Sequence, residues 1–134
     1  MAGISAYILA DAGYDVWMGN ARGNTYSRAH VSLSTKDSAF WNFSWHEIGH
    51  YDLPAAIDLA LRVTGQKSLF YVGHSMGTTT YYVMLSTRPE YNSKVLAGIL
   101  LAPVVYLSHC RSPIRYLAPY ADDYQVSIEL ARAF

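Results

Sequence analysis

Two short apolar runs with a helical segment between them constrain the fold of this chain more than any other feature. The runs Leu69–Val72 and Val95–Ala102 are continuous rather than alternating, which is typical of strands covered on both faces in a parallel sheet. Between them, Gly77–Arg88 has the pattern of a helix that closes before Pro89, because proline disfavours a helical conformation in the preceding residue. Strands that alternate with helices indicate an α/β fold with a parallel sheet.

The beginning of the chain predicts a helix, a strand and a loop, in that order. Ile4–Ala12 has a helical pattern, and Gly13 can adopt the left-handed conformation that ends a helix. Tyr14–Met18 is rich in residues that favour strands, so we expect a third strand here. A polar loop begins at Gly19 and carries Asn20, Arg22, Gly23, Asn24 and Thr25.

Two capping signals predict helical structure in the middle of the chain. Ser44 and Glu47 have the spacing of a capping box, in which the two residues satisfy each other's free backbone donors. Asp52 is placed to cap a second segment, because Pro54 is tolerated in the first turn of a helix and not in its interior. That segment ends at Gly65 and has one apolar stripe, formed by Leu53, Ile57 and Leu61.

The composition is that of a globular domain, and it excludes some classes of partner. Of the 134 residues, 51% are hydrophobic and 15% are charged. Ten basic and ten acidic residues cancel, so we expect neither nucleic acid nor an anionic membrane surface as a partner. No apolar run is long enough for a membrane span, and no basic segment after Met1 indicates a signal peptide. Cys110 is the single cysteine, which excludes an internal disulfide.

The sequence GHSMG, Gly73 to Gly77, lies where the first apolar run ends and the next helix begins. A serine at such a strand–turn–helix junction is held in a strained conformation that exposes its hydroxyl, as in a nucleophile elbow. We expect glycine at both ends because a side chain there would collide with the adjoining strand or helix. The Met76 N–H and the helix amino terminus favour the charge of a tetrahedral intermediate. For His74 a packing role is favoured over that of base, and a Ser-Gly turn without chemistry is the alternative to the elbow.

Four stretches resemble the acid lipase family, which includes gastric and lysosomal acid lipases and many insect lipases. They are LADAGYDVWMGNARGNTYSR, FWNFSWHEIGHYDLPAAIDLAL, TGQKSLFYVGHSMGTTTYYVMLSTRPEYNSKV and LLAPVVYLSHCRSPIRYLAP, and they cover most of Leu9–Pro119. The resemblance implies a partial α/β-hydrolase fold with a parallel sheet and flanking helices. In this interpretation residues 1–105 belong to the core, and residues 106–134 form a loop and the start of a cap region.

The resemblance also implies an activity and roles for the GHSMG residues. The expected activity is hydrolysis of neutral lipid esters, of the triacylglycerol or cholesteryl ester type, with no metal or organic cofactor. Ser75 matches the nucleophile and Met76 the residue whose N–H helps form the oxyanion hole, while Gly73, His74 and Gly77 shape the elbow. Mammalian members usually have Gln where this chain has Met76, and insect-type members often have Met. Family members are secreted or lysosomal, and the oligomeric state is left open.

The other two members of a catalytic triad are not evident in the sequence. The fold requires the order Ser, then Asp or Glu, then His, and only Glu90 and His109 follow Ser75 in that order. Glu90 follows the helix directly after the elbow, where the fold does not place its acid. In the family the acid and base lie beyond residue 134 and the second oxyanion donor lies before Met1. We therefore expect an internal fragment that is inactive alone; a thioesterase, a carboxylesterase and a non-catalytic pseudo-hydrolase are the alternatives.

A rival interpretation comes from HEIGH, His46 to His50, which is the pentapeptide of zinc metalloproteases. Two imidazoles four residues apart share one face of a helix, and Glu47 could act as general base. Against a zinc site, Pro54 restricts that helix and no convincing third ligand follows downstream. The surrounding sequence also matches the lipase family, in which this segment is not a metal site, so no metal is expected.

Two further polar groups have both a structural and a functional interpretation. Asn42-Phe43-Ser44 is an N-glycosylation sequon, but Ser44 is also the proposed helix cap and aromatic residues crowd the site, so the structural interpretation is favoured. Asn20, Arg22 and Asn24 follow a predicted strand, at the edge of the sheet where α/β active sites gather. Holding the loop together is the simpler role for these three side chains.

Overall fold

A computed structural model describes residues 2–106 of the chain. In chain order the elements are α1 (Ala2–Asp11), a 3₁₀ turn (Ser38–Trp41), α2 (Trp45–Glu47), a π-helical turn (Ile48–Asp52), α3 (Leu53–Thr64), β1 (Leu69–His74), α4 (Met76–Thr87), a second 3₁₀ turn (Pro89–Ser93) and β2 (Val95–Leu101). The proposed loop and cap segment, residues 106–134, lies outside the described residues apart from Tyr106. Among the described helices, none has the length and apolar character needed to cross a membrane.

Strands β1 and β2 lie side by side in parallel with α4 as their connection, which confirms the predicted α/β arrangement. The pairing aligns Leu69 with Val95 and His74 with Leu101. One irregularity follows Leu69, so that Leu96 is an extra residue in β2. The observed β1 continues two residues beyond the predicted run, to His74. Both strands therefore end at the same edge of the sheet, directly before the turns that lead onward.

Only one face of this two-stranded sheet is covered within residues 2–106. Helices α3 and α4 pack on it around a core formed by Ile57, Tyr81, Met84 and Tyr91. On the opposite face, Phe70 is 63% exposed and Leu96 is 62% exposed. The expectation of strands covered on both faces is therefore wrong for the described part of the chain. The strands are apolar on both faces, but the helices described here supply only one layer.

The beginning of the chain agrees with the prediction in its helix and differs in its strand. Helix α1 ends near Gly13, which has a φ of 93°, the left-handed conformation expected of it. The predicted strand Tyr14–Met18 is wrong, because this segment joins no β-ladder among the described residues. A strand is stable only when a neighbour pairs with its backbone, and β1 and β2 pair with each other alone here.

Helix α2, the π-helical turn and α3 form one continuous helix rather than two capped segments. The capping box is confirmed: the Ser44 hydroxyl accepts the His46 N–H, and the Ser44 N–H donates to Glu47 at 2.7 Å. The predicted cap at Asp52 is wrong, because Asp52 has helical angles and its side chain makes no cap bond. Gly65 ends the helix with a φ of 69°, as expected.

Pro54 gives a physical reason for the widened turn. In a regular helix the N–H of residue 54 would donate to the carbonyl of His50, and proline has no N–H. Instead, the Leu53 N–H reaches back to Ile48, and Arg88 at the end of α4 donates to the His50 carbonyl at 3.1 Å. The turn is thereby attached to α4 through the carbonyl that proline leaves free.

Gly49, in the π-helical turn, is the point of closest approach to α4. A Cβ atom at this position would lie 2.6 Å from the carbonyl oxygen of Thr80 and 2.7 Å from the Cβ of Val83. Since the nearest atom belongs to the backbone of α4, the helix as a whole would have to move. The small size of residue 49 therefore sets the spacing between the long helix and α4.

We expect Gly49→Ala to destabilise the fold by at least about 2 kcal/mol, because it overpacks a helix crossing. Gly19→Ala is the matched control, since within the described part of the chain a Cβ there would meet only the Cβ of Ala56, at 3.9 Å. Urea unfolding followed by circular dichroism measures both variants. Equal midpoints for the two would show that the crossing tolerates a methyl group.

A polar cluster ties α3 to the start of β2. Lys94 Nζ lies 2.6 Å from Asp58 Oδ1, and the Tyr91 hydroxyl donates to Asp58 Oδ2 at 2.7 Å. Desolvation alone would raise the pKa of Asp58, but the hydrogen bonds from Lys94 and Tyr91 outweigh it and lower that pKa below its usual value. The charged carboxylate is therefore the form that the fold favours.

Asp58 should make the stability of the fold depend on pH in acid. Because its folded-state pKa is depressed, its contribution is complete above the unfolded value, about 3.9, and is lost as pH falls through the folded value. We expect Asp58→Asn to lose less stability than the parent between about pH 6 and pH 3. The effect should stay below about 1 kcal/mol because the pair is partly exposed. Urea midpoints at both pH values measure it, and Lys94→Met should reduce the same pH dependence.

Candidate active site

Ser75 is the single residue between β1 and α4, and its backbone is strained. Its φ and ψ are 52° and −115°, a combination that residues with a side chain rarely adopt. Within residues 2–106, Ala102 is the other non-glycine residue with a positive φ, at 49°. Such a conformation costs about 1–3 kcal/mol and persists only where surrounding contacts enforce it. Ser75 is exposed, so the sharp turn expected from GHSMG presents its side chain to solvent.

Hydrogen bonds fix the peptide groups on both sides of Ser75. Its N–H donates to the carbonyl of Leu101 at 2.9 Å, next to the last paired residues of the sheet. Its carbonyl accepts the N–H of Thr78 at 2.9 Å and the hydroxyl of Thr78 at 2.6 Å. Thr78 is fully buried, so water does not compete for these last two bonds. The backbone of Ser75 is fixed while its side chain is accessible.

The two glycines of GHSMG have different surroundings. A Cβ at Gly73 would lie 2.8 Å from the Tyr71 ring and 3.0 Å from the carbonyl oxygen of Gly77, so the predicted collision is confirmed there. Among the atoms of residues 2–106, a Cβ at Gly77 would meet only the Tyr71 hydroxyl, at 3.5 Å, which is an ordinary contact. The expectation that both positions exclude a side chain is therefore wrong at Gly77. The close approach is on the strand side of the elbow.

Tyr71 is a structural residue of the elbow that the sequence did not single out. Its hydroxyl donates to the Gly77 carbonyl at 2.8 Å, and its ring stacks on Tyr81 with 4.8 Å between ring centroids. A tyrosine hydroxyl is protonated at neutral pH and can donate, and burial raises the pKa of Tyr71 further above its ordinary value. The available signal was the tyrosine two residues before a strand glycine, a position on the same face of the strand.

Met76 and His74 flank Ser75 and have different environments. Met76 is the first residue of α4, so its N–H has no acceptor within the helix and lies at the positive end of a 12-residue dipole. The backbone of Met76 is thus placed where a helix stabilises an anion. The Met76 side chain is 50% exposed. His74 is the last residue of β1 and is exposed, and its side chain makes no hydrogen bond among the described residues.

The candidate acid and base are not brought together with Ser75 by the described residues. Glu90 lies beyond the far end of α4, about 18 Å along a 12-residue helix, and pairs with Arg88 at 2.6 Å. His109 lies outside the described residues. His50 contacts the Thr87 hydroxyl through Nδ1 at 3.0 Å, also at the far end of α4. The Glu90–His109 pair thus receives no support from the position of Glu90.

The residues of HEIGH are engaged in contacts of the fold. The rings of His46 and His50 stack, with 5.7 Å between centroids and 13° between planes. Glu47 accepts the Ser44 N–H at 2.7 Å and the Ser44 hydroxyl at 2.9 Å, and the backbone bond in particular lowers the pKa of Glu47. Within residues 2–106, no three potential metal ligands lie together. The carboxylate proposed as a general base is here part of the capping box.

The polar loop after Gly19 is held by its own side chains, in agreement with the structural interpretation. Asn24 donates to the Asn20 side chain at 2.8 Å. Arg22 pairs with Asp52 at 2.6 Å, and its backbone N–H donates to the same carboxylate at 2.9 Å. The Asp52 side chain that was expected to cap α3 therefore anchors the loop to the long helix instead.

A cavity of about 340 Å³ lies beside this loop rather than at Ser75. Its lining includes Arg22, His30, Phe40 and Asn42. Asn42 is exposed, while Ser44 is occupied as the helix cap. Glycosylation of Asn42 stays a prediction.

Comparison with known proteins agrees with the resemblance seen in the sequence. The family described as "alpha/beta hydrolase fold" matches residues 4–126. Lipase 1 of Drosophila melanogaster is 61% identical over 101 residues, 75% of this chain and 23% of that protein. Lipase 3 of the same organism is 56% identical over 115 residues, 85% of this chain and 29% of that protein. Human lysosomal acid lipase/cholesteryl ester hydrolase is 47% identical over 116 residues, 87% of this chain and 29% of that protein.

The extent of these matches determines what they establish. The chain spans about a quarter of the length of these curated relatives, 23% to 29%. The family match, in contrast, covers nearly the whole of this chain, and the β1–α4–β2 unit has the parallel arrangement of that fold. The chain therefore belongs to the α/β-hydrolase fold family and, within it, to the acid lipases.

Proposed function

We propose that this chain carries the nucleophile of a serine lipase, and that Ser75 is that nucleophile. The observation that carries the proposal is the position of Ser75: an exposed serine with a φ of 52°, directly between strand β1 and the amino terminus of helix α4. Strain of this kind clusters at functional sites, where the surrounding structure holds it in place. The chain belongs to the acid lipases, and this membership supports ester hydrolysis as the reaction.

In the proposed reaction, Ser75 Oγ attacks the carbonyl carbon of an ester and the alcohol leaves, which forms an acyl-enzyme that water then hydrolyses. The Met76 N–H and the amino terminus of α4 stabilise the oxyanion of each tetrahedral intermediate. A histidine must take the hydroxyl proton and give it to the leaving alcohol, and no hydrogen bond joins Ser75 to a histidine within residues 2–106. We expect the 134-residue chain alone to show no turnover of esters, because its sequence has no acid followed by a histidine at the places after Ser75 that the fold requires.

The proposed substrates are neutral lipid esters, of the triacylglycerol or cholesteryl ester type. The support is the name of a 47% identical relative, the human lysosomal acid lipase/cholesteryl ester hydrolase. The same relative supports a secreted or lysosomal location. A thioesterase, a carboxylesterase or a non-catalytic pseudo-hydrolase would share the elbow, so substrate class is part of the test.

The test uses a chimera in which this chain replaces the matching stretch of Drosophila Lipase 3, which supplies the rest of a lipase. We expect Ser75→Ala to lower kcat by about 10⁴- to 10⁶-fold, as loss of a triad nucleophile does. Ser86→Ala is the matched control, because Ser86 lies on the same helix and, among the described residues, its hydroxyl bonds only the Val83 carbonyl. A Ser75→Ala chimera with near-parental activity would refute the assignment.

Substrate class is read from the same chimera. Triolein and cholesteryl oleate emulsions represent lipid esters, p-nitrophenyl acetate a small soluble ester, and palmitoyl-CoA a thioester. The proposal requires hydrolysis of the emulsions that depends on Ser75. Activity confined to the soluble ester or the thioester would favour those alternatives, and a folded chimera without any activity would favour a pseudo-hydrolase.

The unequal surroundings of the two elbow glycines give a further expected outcome. Gly73→Ala should lower kcat by about 100-fold or more, since displacing the turn by about 1 Å misplaces the nucleophile. Gly77→Ala, with only a 3.5 Å contact, should lower it by less than about tenfold. Circular dichroism of both variants checks that they fold. Equal losses of kcat would show that the contact with Tyr71 does not position the turn.

A further inference from the structure

We propose that Thr78 is a positioning residue for Ser75, and that it acts by tying Ser75 to the segment after β2. The proposal rests on the proposed function for its consequence in catalysis, but its geometry stands on separate contacts. Thr78 lies in the first turn of α4, three residues after Ser75, and is fully buried.

The Thr78 hydroxyl is bonded on both sides. It donates to the carbonyl of Ser75 at 2.6 Å and accepts the N–H of Val104 at 2.9 Å. A hydroxyl has one proton to donate, so the bond from Val104 fixes the direction in which that proton points. The two bonds form a chain from the backbone after β2, through a side chain of α4, to the strained residue.

Thr79 bonds the other polar backbone group of Val104, its carbonyl. Its hydroxyl donates to the Val104 carbonyl at 2.6 Å, and Thr79 is 8% exposed. Two consecutive threonines thus bond both the N–H and the carbonyl of Val104. Val104 is thereby bonded to α4 through both of its polar groups.

Ala102 lets the chain reach this position. Its φ of 49° turns the backbone sharply after β2, so that Val104 meets α4 two residues later. Ser75 and Ala102 follow neighbouring strands, and the Ser75 N–H bonds the Leu101 carbonyl between them at 2.9 Å. The two strained residues therefore belong to one hydrogen-bonded unit, in which each turn supports the other.

Thr80 shows what a threonine does in this helix without such a role. It is 4% exposed and donates to the Gly77 carbonyl at 3.1 Å, three residues earlier in α4. Bonds of this kind to the preceding turn are common for helical threonines. They account for Thr80 but not for the bonds that Thr78 and Thr79 make to Val104, 26 and 25 residues away.

The first test is nuclear magnetic resonance on the 134-residue chain, with Thr78→Val, Thr78→Ser and Thr80→Val as variants. Thr78→Val should raise amide exchange at Val104 by at least about tenfold. It should also move the Ser75 Cα and Cβ shifts away from values for a positive φ. Thr78→Ser should keep both readouts, and Thr80→Val is the matched control. If Thr78→Val does not fold, Thr78→Ala replaces it, with the same expected changes at Val104 and Ser75.

The second test measures the consequence for the reaction in the Lipase 3 chimera. Thr78→Val should lower kcat by about 10- to 100-fold with KM within about threefold, and Thr78→Ser should restore kcat. The proposal is overturned if Thr78→Val leaves the Ser75 shifts and the Val104 exchange at parental values, or if Thr80→Val changes them equally. The Ser75 chemical shifts and the Val104 amide exchange are measured without any hydrolysis. A failure of Ser75 as nucleophile would therefore appear only in the kinetics of Ser75→Ala.

Discussion

The bond from the Ser75 N–H to the Leu101 carbonyl is the contact on which the geometry of the candidate site depends. At 2.9 Å it lies just past the last pair of the ladder, and so holds residue 75 in line with β2 although its own φ is 52°. Without it, a strain of about 1–3 kcal/mol would favour relaxation of the turn. Helix α4 starts at the next residue, so its direction and the orientation of its amino terminus follow from this bond.

Glycines in the strands serve the packing of tyrosine rings rather than backbone freedom. A Cβ at Gly98 would lie 2.7 Å from the Tyr81 hydroxyl, and one at Gly73 would lie 2.8 Å from the Tyr71 ring. Tyr71 pairs with Gly98 across the ladder, which brings the two rings into their stack beneath α4. Large residues at these glycine positions would push α4 from the sheet, and Tyr71 could no longer bond the Gly77 carbonyl.

The features that were predicted correctly from the sequence are those that residues close together in the chain determine. The Ser44 capping box, the left-handed Gly13 and Gly65, and the strand–serine–helix junction each depend on residues a few positions apart. The features that were predicted wrongly depend on partners far away in the sequence. Asp52 has a residue type suited to a cap, but the carboxylate lies with Arg22, 30 residues away, and the helix continues through a π-helical turn. Tyr14–Met18 has strand propensity without a partner strand among the described residues.

The threonine run at residues 78–80 shows how a local conflict can mark a site. Three consecutive β-branched residues at the start of a helix lower its intrinsic stability, because their side chains lose rotamer freedom there. Alanine would form a better helix, but its side chain has no hydroxyl to bond the carbonyl of Ser75 or the backbone of Val104. Departures from local preference are expected where a sequence serves a functional geometry. The unfavourable threonines lie in the first turns of α4, where Thr78 bonds the carbonyl of Ser75 and both Thr78 and Thr79 bond Val104, two residues after Ala102. This is the place where a rigid serine requires support.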